Sequence, residues 1–550
     1  MNDRSNPIPP PSTPLPPPSD SSFIVHRSSF SWLALLIVLL ACTAVRTWLI
    51  SHAEMISRDG VTYIKMAREW SQNPSAVIHN YSYHVGYPAA ISAMHRLLSS
   101  FGLSDRLDTW ELAARLVSLL SALVATTAVW LFAALTFDYH IAFITTILLC
   151  AARKWAILGA DVTSDALALA FQTSAVLLTL LVLIQLKKHS PFALLLALPL
   201  GLCAGAGYLV RPESLVVVAI AVVIWLTHQL RSPATPWKLT IAAILTTAFS
   251  ALALAAPYML AIGTLTKKKR FDQIIPFANI LPLAMTGNDY NSGLRELINQ
   301  LTEAMHPVLF VLALGWLVLW SGFRIISRGQ NKPFNPAPRP AGAAVMLLTA
   351  AAFTPLLLGL HSKVHYLNFR HIMLLGLLLS PLAGAGVLLA AYIISDSLRR
   401  FSQTFRLRTA YILLALLLAP MLVHALHPLK QFQSHYRDAA LQLAQLLGPN
   451  DFFLARSPWI FHYSQANGEY YYTEKLTPKM LLDRITRISP TPTYLVYSDD
   501  DLRAAHPSLP HILRPPLFTE LHRFAPHDPK SRDTVHIYRI TPPLPLTPNP

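Results

Sequence analysis

One carboxylate, Asp59, stands a few residues beyond the first long apolar run, which extends from Phe30 to Ile50. At that membrane-surface depth it has two uses. It can cap a helix running on from Gly60, or it can act as a general base toward an incoming hydroxyl. Further along the same segment comes "HNYSYHVGYP", rich in histidine and tyrosine. His79, His84, His361, His365 and His371 invite a metal reading, but their spacing is not that of a tight ligand set. A divalent metal is therefore an open option, with His84 as the place to look for it.

The elements that must hold these groups are membrane elements. The chain of 550 residues is 53% hydrophobic and 13% charged, whereas soluble chains carry about 25% charged residues. A soluble protein needs a charged skin; lipid-facing spans need none. The formal charge of +16 resides mostly in short segments between apolar runs, which fits orientation signals and not a nucleic-acid surface. Cys42, Cys150 and Cys203 each lie inside an apolar run and read as small buried hydrophobes. The first apolar run is long enough to span, so it is not read as a cleavable signal.

Eleven candidate spans are expected, at 30–50, 112–136, 141–158, 165–186, 191–209, 213–228, 239–262, 307–326, 341–361, 371–395 and 409–427. The split at Arg211-Pro212-Glu213 is the least regular of the boundaries. Lys187-Lys188 and the segments 231–238, 324–339 and 399–408 are basic and free of acids, so they are expected on the cytoplasmic side, with a cytoplasmic N-terminus in the cell membrane. Lys267 to Arg270 falls on the outer side and breaks that rule, either by miscount or as a functional patch. The Pro/Ser-rich head, residues 1–28, and the end, 541–550, are expected to be disordered. The membrane domain is expected over 29–428, with long outer loops at 51–111 and 263–306. In the first loop, the patterns around Val61 to Ala67 and Ala89 to Leu98 predict amphipathic helices lying in the interface. Over 429–540, "YRDAALQLAQLLG" predicts a helix, and "DFFLA", "TYLVYS" and "TVHIYRI" predict strands. The fold class is thus mainly α and polytopic, with a small extracytoplasmic α/β domain.

"RDGVTYIKMAREW" followed by "HVGYPAAISAMHRLL" resembles the first outer loop of the GT-C glycosyltransferase superfamily. The likeness is to the branch related to protein O-mannosyltransferases and the aminoarabinose transferase of lipid A. In that pattern an acid follows the first span, then a Tyr, an Ala-Arg pair and a Tyr-Pro; here these are Asp59, Tyr63, Ala67-Arg68 and Tyr87-Pro88. Many members carry a second acid beside the first, where this chain has Gly60. "DVTSDALALAFQTSAVLL" resembles the start of the family's fourth span, with Asp161 or Asp165 as the acid at its mouth. "GLCAGAGYLVRPESLVV" resembles its Gly-rich span ending in Arg-Pro. "HSKVHYLNFRHIMLLGLLLSPLAGAG" resembles its late Arg-Tyr segment, with His371 in the Tyr position.

The resemblance implies transfer of a sugar from a dolichyl- or undecaprenyl-phosphate donor to an acceptor hydroxyl on a protein, lipid or glycan. Asp59 would be the base. Cations would hold the departing phosphate, and the candidates at the outer ends of spans are Arg58, Lys65, Arg211, Lys363 and Arg370. Each can instead snorkel or cap a helix. Tyr63, His84 and Tyr87 are expected beside the substrate, with Asp161 or Asp165 as a second acid. The loop offers no second carboxylate as nucleophile, so direct displacement with inversion is expected. A transporter or flippase is the rival class; it calls for repeated halves and ionisable residues near the midplane. A polysaccharide ligase or polymerase is a further alternative, with the same donor but without the early Asp loop.

Overall fold

The computed structural model describes residues 29–232, 236–267, 287–326, 338–365, 367–397, 403–470, 476–488, 492–505, 507–526 and 533–541. The head 1–28, the segment 268–270 of the basic patch, most of the 541–550 end and the core of the 324–339 loop lie outside the described residues.

The first span is α1 (Ser29–Ser51). The loop after it folds as three short helices, α2 (Arg58–Gln72), α3 (Pro74–Asn80) and α4 (Gly86–Ser100). The two expected amphipathic helices are α2 and α4. Next come α5 (Leu107–Thr136), α6 (Tyr139–Cys150), α7 (Arg153–Leu158), α8 (Asp165–Lys187) and α9 (Phe192–Val210). A 3-10 turn at Pro212–Leu215 separates α9 from α10 (Val216–Arg231), and α11 (Trp237–Ile262) follows. Then come α12 (Gly287–Met305), α13 (Pro307–Ile326), α14 (Pro340–Val364), α15 (Phe369–Ser397) and α16 (Gln403–Ala425).

Nine described helices are long and apolar enough to cross a membrane: α1, α5, α8, α9, α10 with its leading turn, α11, α14, α15 and α16. The chain is a multi-pass membrane protein. Two of the eleven expected spans take a different form. The 141–158 run breaks at Ala151-Ala152 into α6 and α7, and α6 has only 12 residues, or roughly 18 Å against a core of about 30 Å. The break lets Arg153 leave the helix line and donate to the carbonyls of His424, at 2.9 Å, and His427, at 2.9 Å, closing the end of α16. The 307–326 run is α13, bent by 111° from α12. His306 takes a left-handed φ of 81° there, and Pro307 has no N–H with which to continue the helix. Counting that bent pair as one span makes ten, and α6 with α7 carries the chain from Thr136, beside Arg339, to Asp161, beside Ser57, as an eleventh crossing.

Close helix approach explains several of the small residues. A side chain at Gly201 of α9 would run into Ser250 and Thr247 of α11. Arg46 of α1 is fully buried. It donates to the Cys42 carbonyl at 3.3 Å and the Trp155 carbonyl at 3.2 Å, so α1 is tied to α7. The three cysteines are free thiols.

After α16 come α17 (Ser434–Leu446), β1 (Phe453–Ala455), α18 (Pro458–Ser464), β2 (Gly468–Tyr470), α19 (Pro478–Arg487) and β3 (Tyr494–Ser498). β4 (Phe518–Phe524) and β5 (Val535–Ile540) complete a sheet in the order β2-β1-β3-β5-β4. β1 is parallel to β2 and β3; β5 is antiparallel to β3 and β4. The expected strands are β1, β3 and β5; β2 and β4 are additional. This domain is not tethered loosely. Its Trp459, Tyr463 and Tyr436 share one apolar core with Ile56, Ile64 and Ala67 of the loop after α1. Trp459 Nε1 donates to Ile56 O at 3.0 Å, and Ile56 N donates to the Tyr463 hydroxyl at 3.1 Å.

Candidate active site

The start of α2 decides which residue caps it. Ser57, in extended backbone, accepts from Gly60 N at 3.1 Å through its hydroxyl and donates to Val162 O at 2.6 Å. Asp161 Oδ1 accepts from Ser57 N at 2.9 Å. The cap position is therefore filled by Ser57, and the Asp59 carboxylate is left for other work. Gly60 sits directly against the loop before α8. A Cβ there would lie 2.8 Å from both Cβ and O of Val162. A second acid beside Asp59 has no room in this chain, because the close approach that anchors α2 excludes any side chain.

Asp59 opens a line of alternating charges. Arg370 Nη1 donates to Asp59 Oδ2 at 3.1 Å and lies 3.8 Å from Asp165 Oδ2. Arg211 Nη2 meets Asp165 Oδ1 at 2.5 Å, and Arg211 Nη1 meets Glu213 at 3.3 Å. The Asp59 side chain is 40% exposed and the Asp165 side chain 2%. Four separate elements supply these groups: α2, α15, the first turn of α8, and the break between α9 and α10, where Pro212 stops the helix. Asn368 caps α15 by accepting from Arg370 N at 3.2 Å, and Lys154 Nζ lies 4.6 Å from the Phe369 ring centroid. Both brace the start of α15. Burial works against the charge on Arg211, but Asp165 and then Glu213 outweigh it and raise its pKa.

Above Asp59 lies a cleft of about 750 Å³. Arg58, Asp59, Thr62 and Lys65 of α2 form one side with Tyr81 and Tyr83; Phe461 and Tyr470 of the C-terminal domain form the other. Arg58 Nη2 donates to the Tyr470 hydroxyl at 3.0 Å and closes the cleft at one edge. Lys65 is exposed within it. Burial, and next the Asp59 carboxylate, push the Tyr83 phenol up, so it stays protonated beside Asp59.

The cleft and the charge line thus gather Asp59, Arg58, Lys65, Arg211, Arg370 and Asp165. Other expected site residues lie elsewhere. Tyr63 is buried, with its hydroxyl 3.0 Å from Ser164 Oγ, and burial raises its pKa. Tyr87 is fully buried and donates to Ala114 O at 3.1 Å. Both pack the loop against the bundle. Asp161 holds the start of α2 and does not face the cleft. His84 is buried against Tyr208 and Tyr258, with Nε2 3.0 Å from Thr266 Oγ1. The described polar groups around it include phenols and a hydroxyl. Among the described residues no group of three His, Cys, Asp or Glu is placed to hold a metal, so the residues around His84 do not fit one. Lys363 lies in the last turn of α14, and its side chain is outside the described residues. Lys267 donates to the carbonyls of Ile78 and His79, at 2.5 and 2.6 Å, and so closes the end of α3. Sequence reasoning missed Tyr81, Tyr83, Phe461 and Tyr470. The Tyr-rich segment after α3 was a signal for the first two. Nothing in the local pattern of the C-terminal domain marks the others.

No protein-family model and no curated protein sequence matches the chain. Solved structures do. ArnT from Cupriavidus metallidurans, bound to undecaprenyl phosphate, superposes with a TM-score of 0.55 at 14% identity, covering 93% of this chain and 98% of that one. The fold is that of the GT-C membrane glycosyltransferases. The archaeal oligosaccharyltransferase AglB from Archaeoglobus fulgidus, in complex with an inhibitory peptide and a dolichol-phosphate, superposes with a TM-score of 0.52 at 13% identity, covering 85% of this chain and 69% of that one. Its apo form gives 0.55 at 12% identity.

Proposed function

We propose that this protein is a membrane glycosyltransferase that moves a sugar from a polyprenyl-phosphate donor to an acceptor hydroxyl. The observation that carries the reading is the meeting of Asp59 and Arg370, 311 residues apart in sequence, at 3.1 Å beneath the cleft. Transfer needs a base where the acceptor arrives and a cation where phosphate charge grows. Asp59 supplies the first. Arg370 supplies the second, and Arg211 stands behind it across Asp165. While no phosphate is bound, Arg370 is held by Asp59. A donor phosphate competes for the guanidinium and frees the carboxylate to take the acceptor proton. A single carboxylate at the mouth supports one displacement with inversion. The undecaprenyl phosphate bound by ArnT and the dolichol-phosphate bound by AglB support a lipid-linked donor here.

The ionisable line lies at helix ends and not at mid-span, which supports an enzyme over a transporter. Basic, acid-free segments between spans on the opposite face support a cytoplasmic N-terminus, with the cleft and the C-terminal domain outside the cell membrane. The acceptor, whether protein, lipid or glycan, is to be sought between α2 and the C-terminal domain. In cells lacking the protein, mass spectrometry should find one polyprenyl-linked sugar accumulating. The parent chain should clear it, and Asp59→Asn, inserted to the same level, should not. Clearance by Asp59→Asn would overturn the assignment.

A further inference from the structure

The opposite membrane face carries a second cavity, unrelated to the Asp59 line. It measures about 530 Å³ and lies between the end of α8, the end of α10 and the start of α14. Its polar rim is Lys187, His189, His228 and Arg231. None of these four forms an ion pair with a carboxylate among the described residues. His228 Nε2 is buried without a hydrogen-bond partner. The connecting segments 187–191, 231–238 and 324–339 contain no Asp or Glu, so these segments bring no anion of their own to this rim. The first turn of α14 has no side-chain cap, which leaves the Ala341 amide at the cavity wall with no partner of that kind.

Lys187 and Arg231 also complement the carbonyl ends of their own helices. That role accounts for neither the cavity nor the unpartnered imidazole. The cavity is moreover amphipathic. Below the rim its wall is Leu183 and Leu348, on the sides of membrane-spanning helices. A polar mouth at headgroup depth that continues into hydrocarbon depth fits a lipid better than a free ion.

We infer that this cavity is a binding site for an anionic phospholipid. The phosphodiester is held by Lys187 and Arg231 near the start of α14, and an acyl chain lies along Leu183 and Leu348. The attraction comes from cations that pair with no carboxylate among the described residues, together with the amides at the start of α14, and the apolar wall gives the preference over inorganic phosphate.

The test uses the full chain in a neutral detergent, titrated with mixed micelles of phosphatidylglycerol or phosphatidylcholine, or with inorganic phosphate. Thermal stability and native mass spectrometry are the readouts. Phosphatidylglycerol should raise Tm and be retained, and phosphatidylcholine and phosphate should do neither. Lys187→Ala with Arg231→Ala should weaken phosphatidylglycerol by about tenfold or more, while Lys188→Ala with Lys238→Ala, on the same face, should not. Ala344→Trp fills the cavity without changing charge, and should abolish retention even if the double variant fails to fold. Equal effects of the two lipids, full reproduction of the effect by phosphate, or parental retention by Ala344→Trp would each overturn the inference.

Discussion

The starts of α2 and α8 both offer an aspartate to Arg370, and the two aspartates live in different surroundings. Asp59 faces the cleft, is 40% exposed and holds one guanidinium. Asp165 is 2% exposed and lies between two guanidinium groups. An exposed ion pair is worth about 0–1 kcal/mol and exchanges easily. A buried one costs several kcal/mol to break, because a charge is stranded away from water. The difference divides the labour. On the proposed function, the carboxylate that can let go of its partner does the chemistry, and the one that cannot let go positions the cations.

The largest expected effect attacks the buried half. Asp165→Ala leaves Arg211 with Glu213 alone and removes the anion between it and Arg370, and should cost about 3 kcal/mol of stability, seen as a fall in Tm in detergent. Asp59→Ala should stay within about 1 kcal/mol of the parent. Equal stability of the two variants would erase the distinction. Next is the anchor of α2. Gly60→Ala drives a Cβ into Cβ and O of Val162 and should cost about 1–3 kcal/mol, and adding Val162→Ala, which keeps both of those atoms, should not restore the loss.

The two halves were unequally legible in the sequence. Asp59, Arg211 and Arg370 could be picked out because charge at the end of an apolar run is conspicuous against its surroundings. Their convergence was not legible, because α2 and α15 are joined only by the packing of the bundle. Asp59 and Ser57 are equally good capping types two residues apart, and only backbone geometry assigns the cap to Ser57. Tyr87 lay in a family-like pattern, yet its place in that pattern is explained by packing: the hydroxyl is tied to α5. The 141–158 run was apolar enough to count as a span, and its break follows from a long-range contact of Arg153 that periodicity does not record.

Smaller effects sharpen the exposed half. Arg370→Ala should weaken donor binding by about tenfold or more, while Arg370→Lys keeps a charge but loses the fork that grips phosphate, and should fall between it and the parent. Equal donor affinity in all three chains would remove the phosphate role. Tyr470→Phe removes the bond from Arg58. It should raise the acceptor KM a few-fold, leave donor Kd unchanged and cost no more than about 1 kcal/mol. A change in donor Kd would mean that the C-terminal wall serves the donor.

The central claim is that the exposed aspartate is the base, and single-turnover transfer from a purified polyprenyl-phosphate sugar tests it most directly. Asp59→Asn keeps the shape of the side chain and removes its basicity. The account predicts a donor Kd close to the parental value and a transfer rate lower by roughly 10²–10⁴-fold; transfer at the parental rate with the donor bound would contradict it.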